Sequence, residues 1–136
     1  MAGYSGTPLW KKLGYKSDLR TYVDDPPQNY RKLLRLPKDV RVIWEREPGP
    51  GLRLVHLFAR DARVVRTKLS FYRKQIAPEG VIWLSWPKKS SGMRSDVTED
   101  YIREVAIPLG LVDVKVCAVD EIWSGLKLMI RRELRR

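Results

Sequence analysis

Apolar positions along this chain change their spacing repeatedly, and each change predicts an element. Leu9, Trp10 and Leu13 recur at helical spacing between Thr7-Pro8 and Gly14, which predicts a short helix over Pro8–Leu13 with Thr7 as N-cap and Pro8 at the first helical position. Leu19 to Val23 reads as a strand, closed by Asp24-Asp25-Pro26-Pro27. Tyr30, Leu33 and Leu34 share one face of a helix over Gln28–Leu36, and the β-branched run Val40 to Trp44 reads as a second strand. After a turn at Glu47-Pro48-Gly49-Pro50-Gly51 comes Leu52 to Ala59, apolar except at Arg53 and His56. Such continuity suits an interior strand covered on both faces. Val65, Leu69, Tyr72 and Ile76 form a helical stripe behind a cap at Asp61. Val81 to Trp86 is a second continuously apolar strand. Ser95 or Asp96 is placed to cap a helix ending near Ile107, with Ile102, Val105 and Ala106 inward. The period then shortens to two. Val112, Val114, Val116 and Ala118 form one alternating run and Leu126, Leu128 and Ile130 another, joined by Asp120 to Gly125.

Strands and helices that alternate and then give way to a hairpin predict one α/β domain over residues 1–136. The expected architecture is a three-layer Rossmann-like sandwich, its sheet mostly parallel, of about six strands, with a C-terminal antiparallel hairpin. One link resists assignment. The segment from Trp44 to Leu52 is too short for a helical crossover, so these strands either pair as a hairpin or are joined by a loop without a helix.

Charge adds the strongest global signal. Among 136 residues, 27 are basic and 16 acidic, for a formal net charge of +11. That excess favours an anionic partner such as nucleic acid, a nucleotide or an acidic protein. It is densest over Arg60–Lys74, Lys88–Arg94 and Lys127–Arg136, with no helix-turn-helix, zinc-finger or aromatic RNA-binding signature. No apolar run suits a membrane span, the opening Met1–Gly6 lacks a signal-peptide pattern, and the single cysteine permits no internal disulfide. A cytoplasmic protein is expected. One cysteine and one histidine provide no zinc set, and no metal or cofactor is expected.

Candidate chemistry converges after the second apolar strand. Lys88, Lys89, Ser90, Ser91, Gly92 and Arg94 supply ammonium groups, hydroxyls, a guanidinium and a permissive glycine just before a helix, the anatomy of an anion site. Asp96 and Glu99 compete for the same donors, and the spacing is not that of a P-loop. Other candidate ligand loops are Asp24-Asp25 and Asp120, Glu121, Trp123 and Ser124; each is equally ordinary turn chemistry. Among the tryptophans, Trp86 beside the basic loop is the expected stacking platform. His56 in its apolar strand reads as a hydrogen-bonded core residue, with no nucleophile elbow to make a triad, and Cys117 as a small packed side chain.

The blocks GYSGTPLWKKLG, WPKKSSG, TEDYIREVAIPLGLVD and KVCAVDEIWSGLK resemble a family of short bacterial proteins, a domain of unknown function that implies no activity or ligand. More loosely, the order of elements resembles the methyltransferase-type Rossmann fold, shortened by a strand–helix unit. That resemblance implies a glycine-rich turn after the first strand and an acid after the second. Here the turn is Val23-Asp24-Asp25-Pro26-Pro27, and proline blocks close backbone approach to a cofactor; Glu45 or Glu47 could stand for the acid. The reading that follows is a non-catalytic binding or accessory module for an anionic partner. The alternatives are a degenerate methyltransferase-like enzyme binding a nucleotide-type cofactor, or a protein-interaction module or homodimer using the hairpin edge or the short N-terminal helix.

Overall fold

The computed structural model describes residues 6–135; Met1–Ser5, which include the start of the first sequence block, and Arg136 lie outside the described residues. The two continuously apolar runs stand side by side in the middle of the sheet, where both faces are covered. These are β3 (Leu52–Phe58) and β4 (Ile76–Pro87). The sheet has six strands in the order β2-β1-β3-β4-β6-β5, with β1 at Arg20–Asp24, β2 at Ile43–Trp44, β5 at Leu111–Ala118 and β6 at Trp123–Ile130. β1 to β4 are mutually parallel, and β6 is antiparallel to both β4 and β5. β5 therefore runs with the parallel strands, and β6 alone runs against them.

Alternate residues of each strand feed two cores, as the pleat requires. On one face α3 (Ala62–Gln75) and α4 (Glu99–Ala106) bury Val65, Leu69, Ile102 and Val105 against Val55, Leu57, Ile82, Leu84, Leu126 and Leu128. On the other, α1 (Leu9–Leu13) and α2 (Tyr30–Leu34) bury Leu9, Leu13, Tyr30 and Leu34 against Leu54, Phe58, Trp83 and Trp123. Each such side chain contributes about 1.5–3 kcal/mol by leaving water. Trp83 also donates its Nε1–H to the Leu13 carbonyl at 2.9 Å, which satisfies an orphan carbonyl of α1 and fixes that helix on the sheet.

The awkward link is a helix-less crossing. β2 is two residues long and pairs with Arg20 and Thr21 at the start of β1, so the chain leaves it close to the level at which β3 begins. Residues 45–51 pass across the sheet to β3, on the other side of β1. Arg20 holds that passage, its Nε donating to Glu45 at 2.9 Å and its Nη1 to the Pro50 carbonyl at 3.2 Å.

Several boundaries differ from the sequence-based expectation, among them β2, which covers Ile43–Trp44 where Val40 to Trp44 reads as a strand, and α2, which covers Tyr30–Leu34 where Gln28–Leu36 reads as a helix. Pro8, not Thr7, is the N-cap of α1, without a side-chain cap. β4 begins at Ile76 rather than Val81, its ladder skipping from Leu52↔Ile76 to Leu54↔Val81. At that irregularity Gly80 is pressed so close that a Cβ would stand 2.9 Å from the Leu52 carbonyl and from Ile76 Cβ. The cap of α4 is Thr98, whose Oγ1 accepts from the Tyr101 amide at 3.1 Å. Asp96 reaches away instead, its Oδ1 accepting from the Ala62 amide at the start of α3, at 2.7 Å.

Candidate functional site

Parallel strands deliver their following loops to the carboxyl edge of the sheet, the usual place for ligands in open α/β folds. Asp24 ends β1, Phe58 ends β3, Pro87 ends β4, and the β5–β6 turn follows Ala118. The three loops singled out in the sequence, Asp24-Asp25, Lys88–Arg94 and Asp120–Ser124, therefore lie along one edge. The depressions of 540, 530 and 520 Å³ that touch this edge each take in residues of, or next to, a single loop. The centre of the edge is filled by rings. Phe58 packs edge-on against Trp123 at 5.0 Å and Tyr30 at 5.5 Å, and stacks on His56 at 4.2 Å.

At β1, the Asp24 carboxylate is already occupied. Lys68 Nζ donates to Oδ1 at 2.8 Å and the Tyr72 hydroxyl to Oδ2 at 2.6 Å. Burial, reinforced by that hydrogen bond, raises the Tyr72 pKa, so the phenol stays protonated. Asp25 is exposed and holds φ 55, a left-handed turn conformation that aspartate tolerates. Beside this turn Pro26, Pro27, Tyr30, Arg31, Trp44 and Glu45 line a 530 Å³ depression. Arg31 lies over the Trp44 ring at 4.2 Å, and Glu45 is turned to Arg20.

The basic loop spends much of its donor capacity on itself. Lys88 Nζ donates to the Asp120 carbonyl at 2.8 Å, and the Lys88 amide to Ile122 at 2.7 Å. Ser91 Oγ donates to the Lys88 carbonyl at 2.6 Å and accepts from the Met93 amide at 3.1 Å. Lys89, Ser90, Gly92 and Arg94 are exposed. The nearby helix N-termini are neutralised from within. Asp61 and Asp96 take the first amides of α3, and α4 opens on Glu99 and Asp100. Arg63 at Asp61 lowers that carboxyl to a pKa of about 2, so it stays ionised. The expectation that Trp86 stands exposed as a platform is corrected: it is 8% exposed, packed in the α3–α4 core. Its edge meets a 520 Å³ depression that also holds Lys89, Glu99 and Asp100.

In the β5–β6 turn Asp120 works structurally, its Oδ1 accepting from the Ile122 amide at 2.9 Å and the Trp123 amide at 2.7 Å. Trp123 is buried, Glu121 exposed and Ser124 half-buried. Ser124 instead lines a 540 Å³ groove against α1 with Thr7, Lys11, Lys12, Lys115, Val116, Cys117 and Ala118. Burial raises the Cys117 pKa, with Lys12 and Lys115 pulling the other way, so the thiol is held protonated.

One constellation was not legible in the sequence. His56 Nε2 lies 2.7 Å from Ser85 Oγ, His56 Nδ1 lies 2.8 Å from the Tyr30 hydroxyl, and Tyr30 lies 2.7 Å from the Tyr15 hydroxyl. Its four members come from β4, β3, α2 and the segment after α1. Because Ser85 pairs with Phe58, two residues beyond His56 on the same face of β3, only the β3–β4 pairing brings them together. The pair has the chemistry of a serine nucleophile and its base, but His56 and Ser85 are both 0% exposed, so no substrate reaches them. Burial lowers the His56 pKa to about 3 and raises those of both tyrosines, so the whole chain is neutral.

The class this architecture defines is the methyltransferase-type Rossmann fold. No family model and no curated protein matches the chain. Among solved structures it aligns with the magnesium protoporphyrin IX methyltransferase of Synechocystis PCC 6803 with bound SAH, at TM-score 0.58 and 10% identity, covering 90% of this chain and 78% of that one. With Aeropyrum pernix fibrillarin in complex with S-adenosyl-L-methionine the values are 0.53, 12%, 90% and 69%. LepI in complex with SAM gives 0.56 and 14%, over 92% of this chain and 47% of that one, so this chain spans about half its length. At these identities the likeness is one of fold. Among the described residues no helix is long and apolar enough to cross a membrane.

Proposed function

We propose that this chain is a methyltransferase-type scaffold used as a non-catalytic binding or accessory module for an anionic partner. The observation that carries the reading is the filled edge. The turn after β1 presents prolines where a cofactor would need close backbone approach, and Asp24 is held by Lys68 and Tyr72. Phe58, Tyr30 and Trp123 occupy the crevice beside it. The net charge of +11 supplies long-range attraction for an anion. We read the chain as a cytoplasmic protein of the short bacterial family that its sequence blocks resemble.

A second reading keeps a reduced nucleotide-type cofactor site in the depression beside Trp44 and Glu45, which adjoins the turn after β1. Thermal unfolding with and without S-adenosylmethionine separates the two. A ligand that binds the folded state raises the midpoint as its concentration exceeds Kd. No shift is expected with millimolar S-adenosylmethionine; a concentration-dependent rise, lost in Trp44→Ala, overturns the non-catalytic reading.

A further inference from the structure

The sheet face that carries α1 brings together cations that are far apart in sequence. Lys115 on β5 and Lys127 on β6 are direct register partners. Lys127 also stands opposite Trp83, whose side chain lies in the α1–α2 core, so both ammonium groups project on the α1 side. Like charges placed directly opposite on antiparallel strands repel. Neither lysine has an ion-pair partner among the described residues. Lys115 lines the 540 Å³ groove that also takes in Lys11, Lys12, Thr7 and Ser124, with no carboxylate side chain among the described residues of its lining. Lys127 lines a second, 470 Å³ groove on the other side of the end of α1, with Lys16, Arg53, Asp18 and Glu79. Lys115 from the first lining and Lys127 from the second are the paired residues of the hairpin.

We propose that this track, running from the Lys11–Lys115 groove past Lys127, binds the phosphate backbone of a polynucleotide. The inference rests on the anionic-partner reading above and supplies its surface and partner class. Ammonium groups gathered in a groove whose lining also offers the Thr7 and Ser124 hydroxyls suit a chain of phosphates, and Lys serves such contacts as a point charge. An anion between Lys115 and Lys127 converts their repulsion into attraction. An added strand on β5, whether an acidic peptide or a second copy, fits less well, although Val114 and Val116 there are 51% and 50% exposed. The ladder breaks between Asp113 and Lys115, and such a bulge interrupts an edge as a template for pairing.

Fluorescence anisotropy of labelled single-stranded and duplex oligonucleotides, followed over a salt series, tests this. Wild-type protein is expected to bind either without sequence preference. In Lys11→Gln/Lys115→Gln/Lys127→Gln the log–log salt slope is expected to fall by about 3, one contact per lysine, while Lys→Arg replacements at the same sites keep it. Should the triple variant fail to fold, exposed Lys115→Gln alone is read the same way, with a fall of about 1. A slope unchanged in these variants but reduced in Lys89→Gln/Arg94→Gln overturns the track and leaves the anionic-partner reading standing. Binding to heparin or polyglutamate without binding to oligonucleotides overturns the partner class alone. Failure to bind any of these polyanions overturns both.

Discussion

Mild acid is expected to destabilise this protein through His56 before its paired carboxylates titrate. The ring is fully buried between Tyr30 and Ser85, and desolvation lowers its pKa from 6.5 to about 3. In the unfolded chain the imidazole is free to bind a proton near its ordinary value, so below that value protonation favours unfolding. The stabilisation is fully present above 6.5 and is lost as the pH falls toward 3. Over the whole window the difference corresponds to about 5 kcal/mol, and between about pH 7 and pH 5 to about 2 kcal/mol. Asp61, held near 2 by Arg63, contributes only at lower pH, so this interval reports on the histidine. Urea unfolding at a series of pH values measures the loss in wild type and in His56→Gln, whose amide does not titrate. Wild type is expected to lose about 2 kcal/mol more than the variant across the interval. Parallel curves for the two proteins would refute the reasoning, because the imidazole released on unfolding would then not be the group that takes up the proton.

Two further outcomes test local geometry. Gly80→Ala puts a methyl group 2.9 Å from the Leu52 carbonyl and is expected to cost about 1–3 kcal/mol of unfolding free energy measured in urea, against little change for Gly49→Ala, whose Cβ meets nothing within 4 Å. Asp96→Ala removes the acceptor of the Ala62 amide and is expected to cost about 1 kcal/mol, with hydrogen exchange rising at the start of α3 rather than of α4; exchange confined to α4 would mean that Asp96 caps its own helix after all.

Much of the fold was readable because burial imposes periodicity. The near-continuous apolar runs at residues 52–59 and 81–86 marked the two central strands, and the change to period two marked the hairpin. Capping was less readable, since Ser95, Asp96 and Thr98 are all good cap residues within one short segment. What separated them was the position of the α3 N-terminus, a neighbour far away in sequence. The strand order places the candidate loops along one edge of the sheet, which the sequence left open, and their chemistry depends on partners. Lys88 is committed to the Asp120 carbonyl and Asp24 to Lys68 and Tyr72, and no local pattern announces either. Trp86 illustrates the same limit: its position beside a polar loop suggested exposure, while the helices above it bury it.

The sequence by itself determined the class of fold, the interior strands, the overall positive charge and the proline turn after the first strand. These follow from residue type and spacing alone. The tertiary structure alone decided that Ser85, His56, Tyr30 and Tyr15 form one buried chain, and that Lys115 and Lys127 oppose each other across the hairpin. Both depend on strand register, which is set by packing between segments distant in sequence, and a one-residue slip of β3, β4, β5 or β6 would send its member of the set to the opposite face.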